Sequence, residues 1–198
     1  MLEARVQQQF FDSADSLNQS AEGVGRAIGQ AVEAVVGCLT AGGKLVVCAQ
    51  DGASALGEHV TALFVGRFER VRPPLPALAL SSRLDWPGAA VHDADPASPL
   101  VQQIQALCNP GDILLTLSLG HDAPALHAAV RNAQDKDMTI VAFNAAGDVG
   151  IRGLLRETDV SVLMPVQRVA RVLELHLLAL HCLCDAIDTQ LLGEQDLA

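Results

Sequence analysis

Five short apolar runs, over residues 44–49, 76–80, 113–117, 138–143 and 159–164, alternate with stretches whose apolar residues recur at helical spacing. Strands separated by helices imply a parallel sheet, because parallel neighbours need a crossover connection that a tight hairpin cannot supply. Such a sheet is covered on both faces, so its strands read as unbroken apolar runs, as Ile113-Leu114-Leu115-Thr116-Leu117 does. Helical spacing covers residues 2–19 and 21–40, the stretch from the Gln50-Asp51-Gly52-Ala53-Ser54 turn through Gly66, and residues 98–108, 122–136 and 167–192. Leu2, Val6 and Phe10 share one face of the first segment, and Ile28, Val32, Val35 and Val36 follow in the second. Two N-terminal helices are therefore expected before the first strand. The longest irregular stretch, Arg83 to Pro99, is either a loop near a site or an idle insertion.

The chain has 198 residues, with no internal repeat or interdomain linker, and one domain is expected: N-terminal helices over 1–41, then an α/β core over 42–198 ending in a long helix. A net charge of −10 opposes binding to a nucleic-acid backbone, which is driven by Lys and Arg, and 3% aromatic residues leave little for stacking on bases. Cys38, Cys48, Cys108, Cys182 and Cys184 are odd in number and sit in apolar runs, so they read as reduced core residues. No apolar stretch reaches the length of a membrane span, and the polar N-terminus lacks a signal-peptide core. A cytoplasmic location without membrane attachment is expected.

Ligands of a doubly wound sheet collect at the carboxyl ends of its strands, here the turns at 49–54, 81–86 and 118–123. These turns, taken with Gly66-Arg67-Phe68, the run Pro73 to Leu80, Gly111-Asp112, Ala170-Arg171 and Glu174-Leu175-His176, resemble in order the sugar isomerase (SIS) domains of the phosphoheptose isomerase branch. The narrower likeness, carried by Arg67-Phe68-Glu69, Asp137 to Ala142 and Cys182 to Asp188, is to the DnaA initiator-associating proteins of that branch. The resemblance implies a three-layer fold with a five-stranded parallel sheet, N-terminal helices used in oligomerisation, and a homotetramer.

It also supplies a test of chemistry. Interconversion of an aldose and a ketose phosphate through an enediol needs a carboxylate to move a carbon-bound proton. In the isomerases a His and, four residues on, the catalytic Glu share a helix face, and the corresponding residues here are His59 and Leu63. Glu58 lies about 100° around the helix from His59 and does not simply substitute. A Gln and a second His of the terminal helix correspond to Leu173 and His181. His59 and His181 alone would lack the third protein ligand of a catalytic zinc, so no metal or other cofactor is expected. The phosphate-binding pattern Ser-Thr-Ser-Gly-Asn-Ser is replaced by Ser118-Leu119-Gly120-His121-Asp122-Ala123, and Gly-Asn-Gly-Gly-Ser by Ala49-Gln50-Asp51-Gly52-Ala53. Both changes lose hydroxyls and gain carboxylates, which repel a phosphate dianion.

Several residues have two readings. His59, His176 and His181 are either remnants of a ligand site or ordinary hydrogen-bonded residues of the interior or of an interface. Ser118, with Gly52, is either a ligand-binding remnant or, for Ser118, a helix cap. Arg67, Arg70, Arg72 and Arg83 serve either an anionic ligand or acidic residues of a neighbouring subunit. Leu191 and Leu192, which correspond to a hydrophobic pair on the initiator-binding surface of the DnaA-associating proteins, either face that partner or pack on the N-terminal helices. The leading expectation is a non-catalytic homotetramer that binds DnaA and promotes assembly of the replication initiation complex. The alternatives are a sedoheptulose 7-phosphate isomerase using His92, Asp93 and Asp95 of the irregular stretch, and a sensor binding a carbohydrate derivative such as a sugar phosphate without turnover.

Overall fold

A computed structural model describes residues 1–49, 51–81 and 98–194. Arg83, His92, Asp93 and Asp95 lie outside the described residues. The elements run α1 (Leu2–Thr40), β1 (Leu45–Ala49), α2 (Ser54–Val65), β2 (Ala77–Leu80), α3 (Ser98–Leu107), β3 (Ile113–Leu117), α4 (Pro124–Asp135), β4 (Thr139–Ala145), α5 (Val149–Arg152), β5 (Val160–Met164) and α6 (Val169–Leu192). All strand pairs are parallel, in the order β2-β1-β3-β4-β5. Register runs straight across the sheet, with Cys48 opposite Thr116 and Thr116 opposite Ala142.

The pleat sorts the side chains into two cores. Leu45, Val47 and Ala49, with Ile113, Leu115 and Leu117, pack under α1, α2 and α6. Val46 and Cys48, with Leu114, Ile140 and Ala142, pack under α3, α4 and α5. The central strands β1 and β3 are buried throughout, while the edge strands β2 and β5 are half-buried in places, as a sheet sandwiched between helices requires. The expected three-layer architecture stands.

The two expected N-terminal helices are one helix of 39 residues. Asn18-Gln19-Ser20 has no Pro or Gly to break it, and the Ser20 hydroxyl donates back to the Ser16 carbonyl at 2.6 Å, as Ser16 does to Asp12 at 2.7 Å. A serine that bonds its own preceding turn stays within the helix and caps nothing. Among the cysteines, Cys38, Cys48, Cys108 and Cys184 are buried and free as expected, but Cys182 is exposed on α6.

Two ion pairs, one partly buried and one buried, brace the fold. At the amino ends of β1 and β3, Asp112 accepts from the Lys44 backbone at 3.0 Å, the Lys44 Nζ at 2.6 Å and the Asn109 N–H at 2.7 Å. Near the end of α6, the Arg72 Nε donates to Asp188 Oδ1 at 2.5 Å, both side chains being 2% exposed. Arg72 also donates to the carbonyls of Leu63 and Phe64 at the end of α2, each at 2.9 Å. The arginine cluster therefore includes an intrachain brace, which corrects the expectation that Arg72 serves a ligand or a neighbouring subunit: its charge is spent on Asp188.

His176 is fully buried on α6 against the Phe143 ring, 5.9 Å between centroids, and neither ring nitrogen has a hydrogen-bond partner among the described residues. Burial drives its pKa down from 6.5 to about 4. The group is neutral in the folded protein and takes up a proton more readily once unfolded, so its contribution is intact above pH 6.5 and is lost as the pH falls towards 4. Urea unfolding should register a loss of about 3 kcal/mol at most over that window, and His176→Leu should flatten that part of the pH profile. Asp188→Ala, which strands a buried guanidinium, should lower stability by about 3–5 kcal/mol in the same measurement.

Candidate functional site

The strand order 2-1-3-4-5 reverses its direction of growth between β1 and β3, so the crevice outside the carboxyl ends of those strands is where a ligand of this fold is expected. Two turns form it. The first leaves β1 through Asp51, a non-glycine residue at φ 53°, and a single 3-10 turn over Asp51–Ala53 before α2. The second leaves β3 through Ser118 and Gly120. Gly120 has φ 86°, and a Cβ there would stand 2.9 Å from that of Ala145, so the turn is pressed against the end of β4 and accepts only glycine.

The Ser118 hydroxyl does not cap α4, whose first turn starts at Ala123 and Pro124 without a side-chain cap. Ser118 is buried and donates to Asp148, while accepting from the Gly120 N–H at 3.3 Å. Asp148 in turn caps α5, accepting from the Ile151 N–H at 3.1 Å. The cap reading of Ser118 is thereby corrected: its one proton goes to a neighbouring carboxylate.

Across the crevice, His121 Nε2 lies 2.9 Å from Asp51 Oδ2, so the turn after β3 is bonded to the turn after β1. Asp122 approaches His127 Nδ1 at 4.0 Å. A cavity of about 200 Å³ beside Gly120 is lined by His121, Asp122, His127 and Asp148. The N-terminus of α4 favours an anion, yet Asp122 and Asp148 line this cavity, and Asp51 bonds His121 at its edge. The sequence showed Asp51 and Asp122; Asp148 was missed, although Gly147-Asp148 ahead of Val149 has the form of a turn and helix cap.

The other half of the site comes from α2 and α6. His59 Nε2 and His181 Nε2 are 2.9 Å apart, and the Phe68 ring lies 5.3 Å from that of His181. A nitrogen-to-nitrogen hydrogen bond needs one ring to accept, so at least one of the two is neutral. The His181 pKa is lowered, chiefly by burial and then by His59, against an opposing pull from Glu69. Leu63 packs half-buried against the core under α1, α2 and α6. Leu173 reaches the first turn, its Cδ1 lying 3.9 Å from where a Gly52 Cβ would stand. Gly52 thus meets an aliphatic side chain.

These residues do not fit a zinc ion. The two imidazoles spend their facing nitrogens on each other, the residues one turn away are leucines, and no group of three or more His, Cys, Asp or Glu side chains among the described residues is placed to hold a metal. Glu58 faces a different space from His59: it lines a cavity of about 190 Å³ at the ends of β1 and β2 with Ala49, Ser54, Gly57 and Ser81. At the far end of α6, Leu191 is half-buried against the core, and Leu192 is 44% exposed.

The SIS domain family model matches residues 9–145. A protein named phosphoheptose isomerase from Methylibium petroleiphilum is 49% identical over 197 residues, spanning 100% of this chain and 98% of that one. The solved phosphoheptose isomerase from Francisella tularensis superposes with a TM-score of 0.88 at 30% identity, covering 96% of this chain and 99% of that chain. A chain of the HobA–DnaA (domain I–II) complex from Helicobacter pylori shares the fold, with a TM-score of 0.58 at 14% identity over 99% of this chain and 96% of that one. The protein described here belongs to the SIS domain family, in its phosphoheptose isomerase branch.

Proposed function

We propose that this chain is a non-catalytic SIS-domain regulator, a homotetramer that binds DnaA and promotes assembly of the replication initiation complex. The observation that carries the reading is Leu63. Forming the enediol requires a base to take the C1 proton of the ketose and return it at C2, and at the position of the family's glutamate a hydrocarbon packs into the core. The crevice supports the same reading. The one hydroxyl kept in the turn after β3 donates to Asp148, and Asp51 and Asp122 would repel the phosphate that has to anchor the sugar. Exposed Leu2, Val6, Phe10 and Phe11 on the first turns of α1 offer an apolar face for other subunits. A tetramer displaying Leu192 four times would gain effective concentration from each weak contact. The likeness to the HobA–DnaA complex is one of fold, and the partner is proposed from the matched segments of sequence.

The names of the relatives favour a second reading, a phosphoheptose isomerase. In this chain Glu58 favours it too, as a carboxylate standing in a cavity at the ends of β1 and β2. A sugar-phosphate sensor without turnover is the third.

Purified protein should show no conversion of sedoheptulose 7-phosphate above the uncatalysed rate, while DnaA is retained on the immobilised protein in the same preparation. Turnover that Glu58→Gln abolishes would establish the second reading and overturn the first. Sedoheptulose 7-phosphate at about 1 mM should leave the melting temperature unchanged; a ligand at 100 times its Kd would add about 2.7 kcal/mol, which a thermal scan resolves as the mark of a sensor.

A further inference from the structure

The turns after β1 and β3 each depart from the SIS pattern by giving up a glycine. Asp51 stands at the second glycine of Gly-Asn-Gly-Gly-Ser, and His121 at the glycine of Ser-Thr-Ser-Gly-Asn-Ser. The two side chains that replace those glycines meet, His121 Nε2 lying 2.9 Å from Asp51 Oδ2. An ionised carboxylate only accepts, so Nε2 carries the proton and donates. The partners are 70 residues apart, and neither turn by itself calls for the other.

Both ends of the bond stand on fixed backbone. Asp51 has φ 53°, a left-handed conformation that glycine adopts freely and that a side chain makes less favourable. It opens the 3-10 turn whose Ala53 is fully buried. His121 follows Gly120, where contact with Ala145 leaves no room for a Cβ. Exposed ion pairs are weak in good part because two long side chains have to be held in one geometry. Here the side chains are short and their turns are set, so less freedom is lost, although the two remain 60% and 53% exposed.

We infer that the bond between Asp51 and His121 is an autoinhibitory strap, which ties the two turns across the crevice and bars an anion from entering between them. The inference rests on the reading above that this crevice has given up its sugar phosphate, and it names the contact that enforces the loss. His121 also lines the cavity beside Gly120 with Asp122, His127 and Asp148, so the strap walls the space towards which the N-terminus of α4 draws negative charge. Repulsion alone makes the opposite demand of this position. A histidine beside an anion attracts it or leaves it alone, so a crevice that excluded phosphate by charge only would gain nothing from His121.

The experiment titrates the full chain with inorganic phosphate, followed by the amide signals of Gly52 and Gly120, in wild type, His121→Gly, Asp51→Gly and the double variant. His121→Gly breaks the strap and keeps the carboxylate, and it should tighten phosphate binding about threefold to fivefold, the worth of an exposed pair at the strong end of its range. Charge alone predicts no gain from that variant, or a loss, and either result overturns the strap. Asp51→Gly removes bond and charge together and should tighten binding further. The double variant should stay within about twofold of Asp51→Gly, because one bond cannot be broken twice; gains that multiply would make the two residues independent and overturn the inference. Asp51→Gly should also shift the ring nitrogen signals of His121, and unchanged signals would mean that no such bond forms in solution. If wild type and every variant bind phosphate equally weakly, the strap is wrong and the reading of the crevice stands. Submillimolar binding by wild type would overturn both.

Discussion

A sheet built only from parallel strands has to be covered on both faces, and the arrangement of this protein follows from that requirement. Helices α1, α2 and α6 take one face and α3, α4 and α5 the other, and growth of the sheet outward from β1 in both directions opens a crevice between β1 and β3. The site is therefore a product of topology before any functional side chain is considered. What the side chains decide is whether that crevice remains a place for an anionic sugar.

On the proposed reading they oppose it in three ways. The position of the proton carrier holds Leu63, the two histidines of α2 and α6 bond each other, and the two phosphate-side turns are joined by Asp51 and His121. None of these disturbs the fold: Leu63 packs against the core, Asp51 and His121 bond each other, and the two histidines kept from the family pattern are paired. Ser118 shows the principle at one atom, its hydroxyl turned to Asp148 and so satisfied without a ligand. The same economy governs the C-terminal end, where Arg70 and Arg72 use their donors within the chain.

Much of this was legible in the sequence. Ile113 to Leu117 has the bounds read from its run of apolar residues with one threonine, because a central strand is buried on both faces. The loss of the carboxylate at Leu63 and the gain of acid at Asp51 and Asp122 follow from residue identity and motif alignment alone. The single helix over Leu2–Thr40 was not legible, since Ser20 is equally a cap signal and a helix residue, and only its bond to the Ser16 carbonyl decides. Nor were the pairs Ser118 with Asp148 and Arg72 with Asp188, which join residues 30 and 116 apart. Such pairs depend on how layers dock, and nothing local records them.

The central claim is that no group in this protein moves a proton between the first two carbons of a ketose phosphate. Its most direct measurement is proton exchange at C1 of sedoheptulose 7-phosphate in D₂O, followed by NMR, which detects enediol formation even where no net product accumulates. The account predicts that the C1 protons keep their full intensity at the rate seen without protein. Protein-dependent washing-in of deuterium at C1 would contradict it.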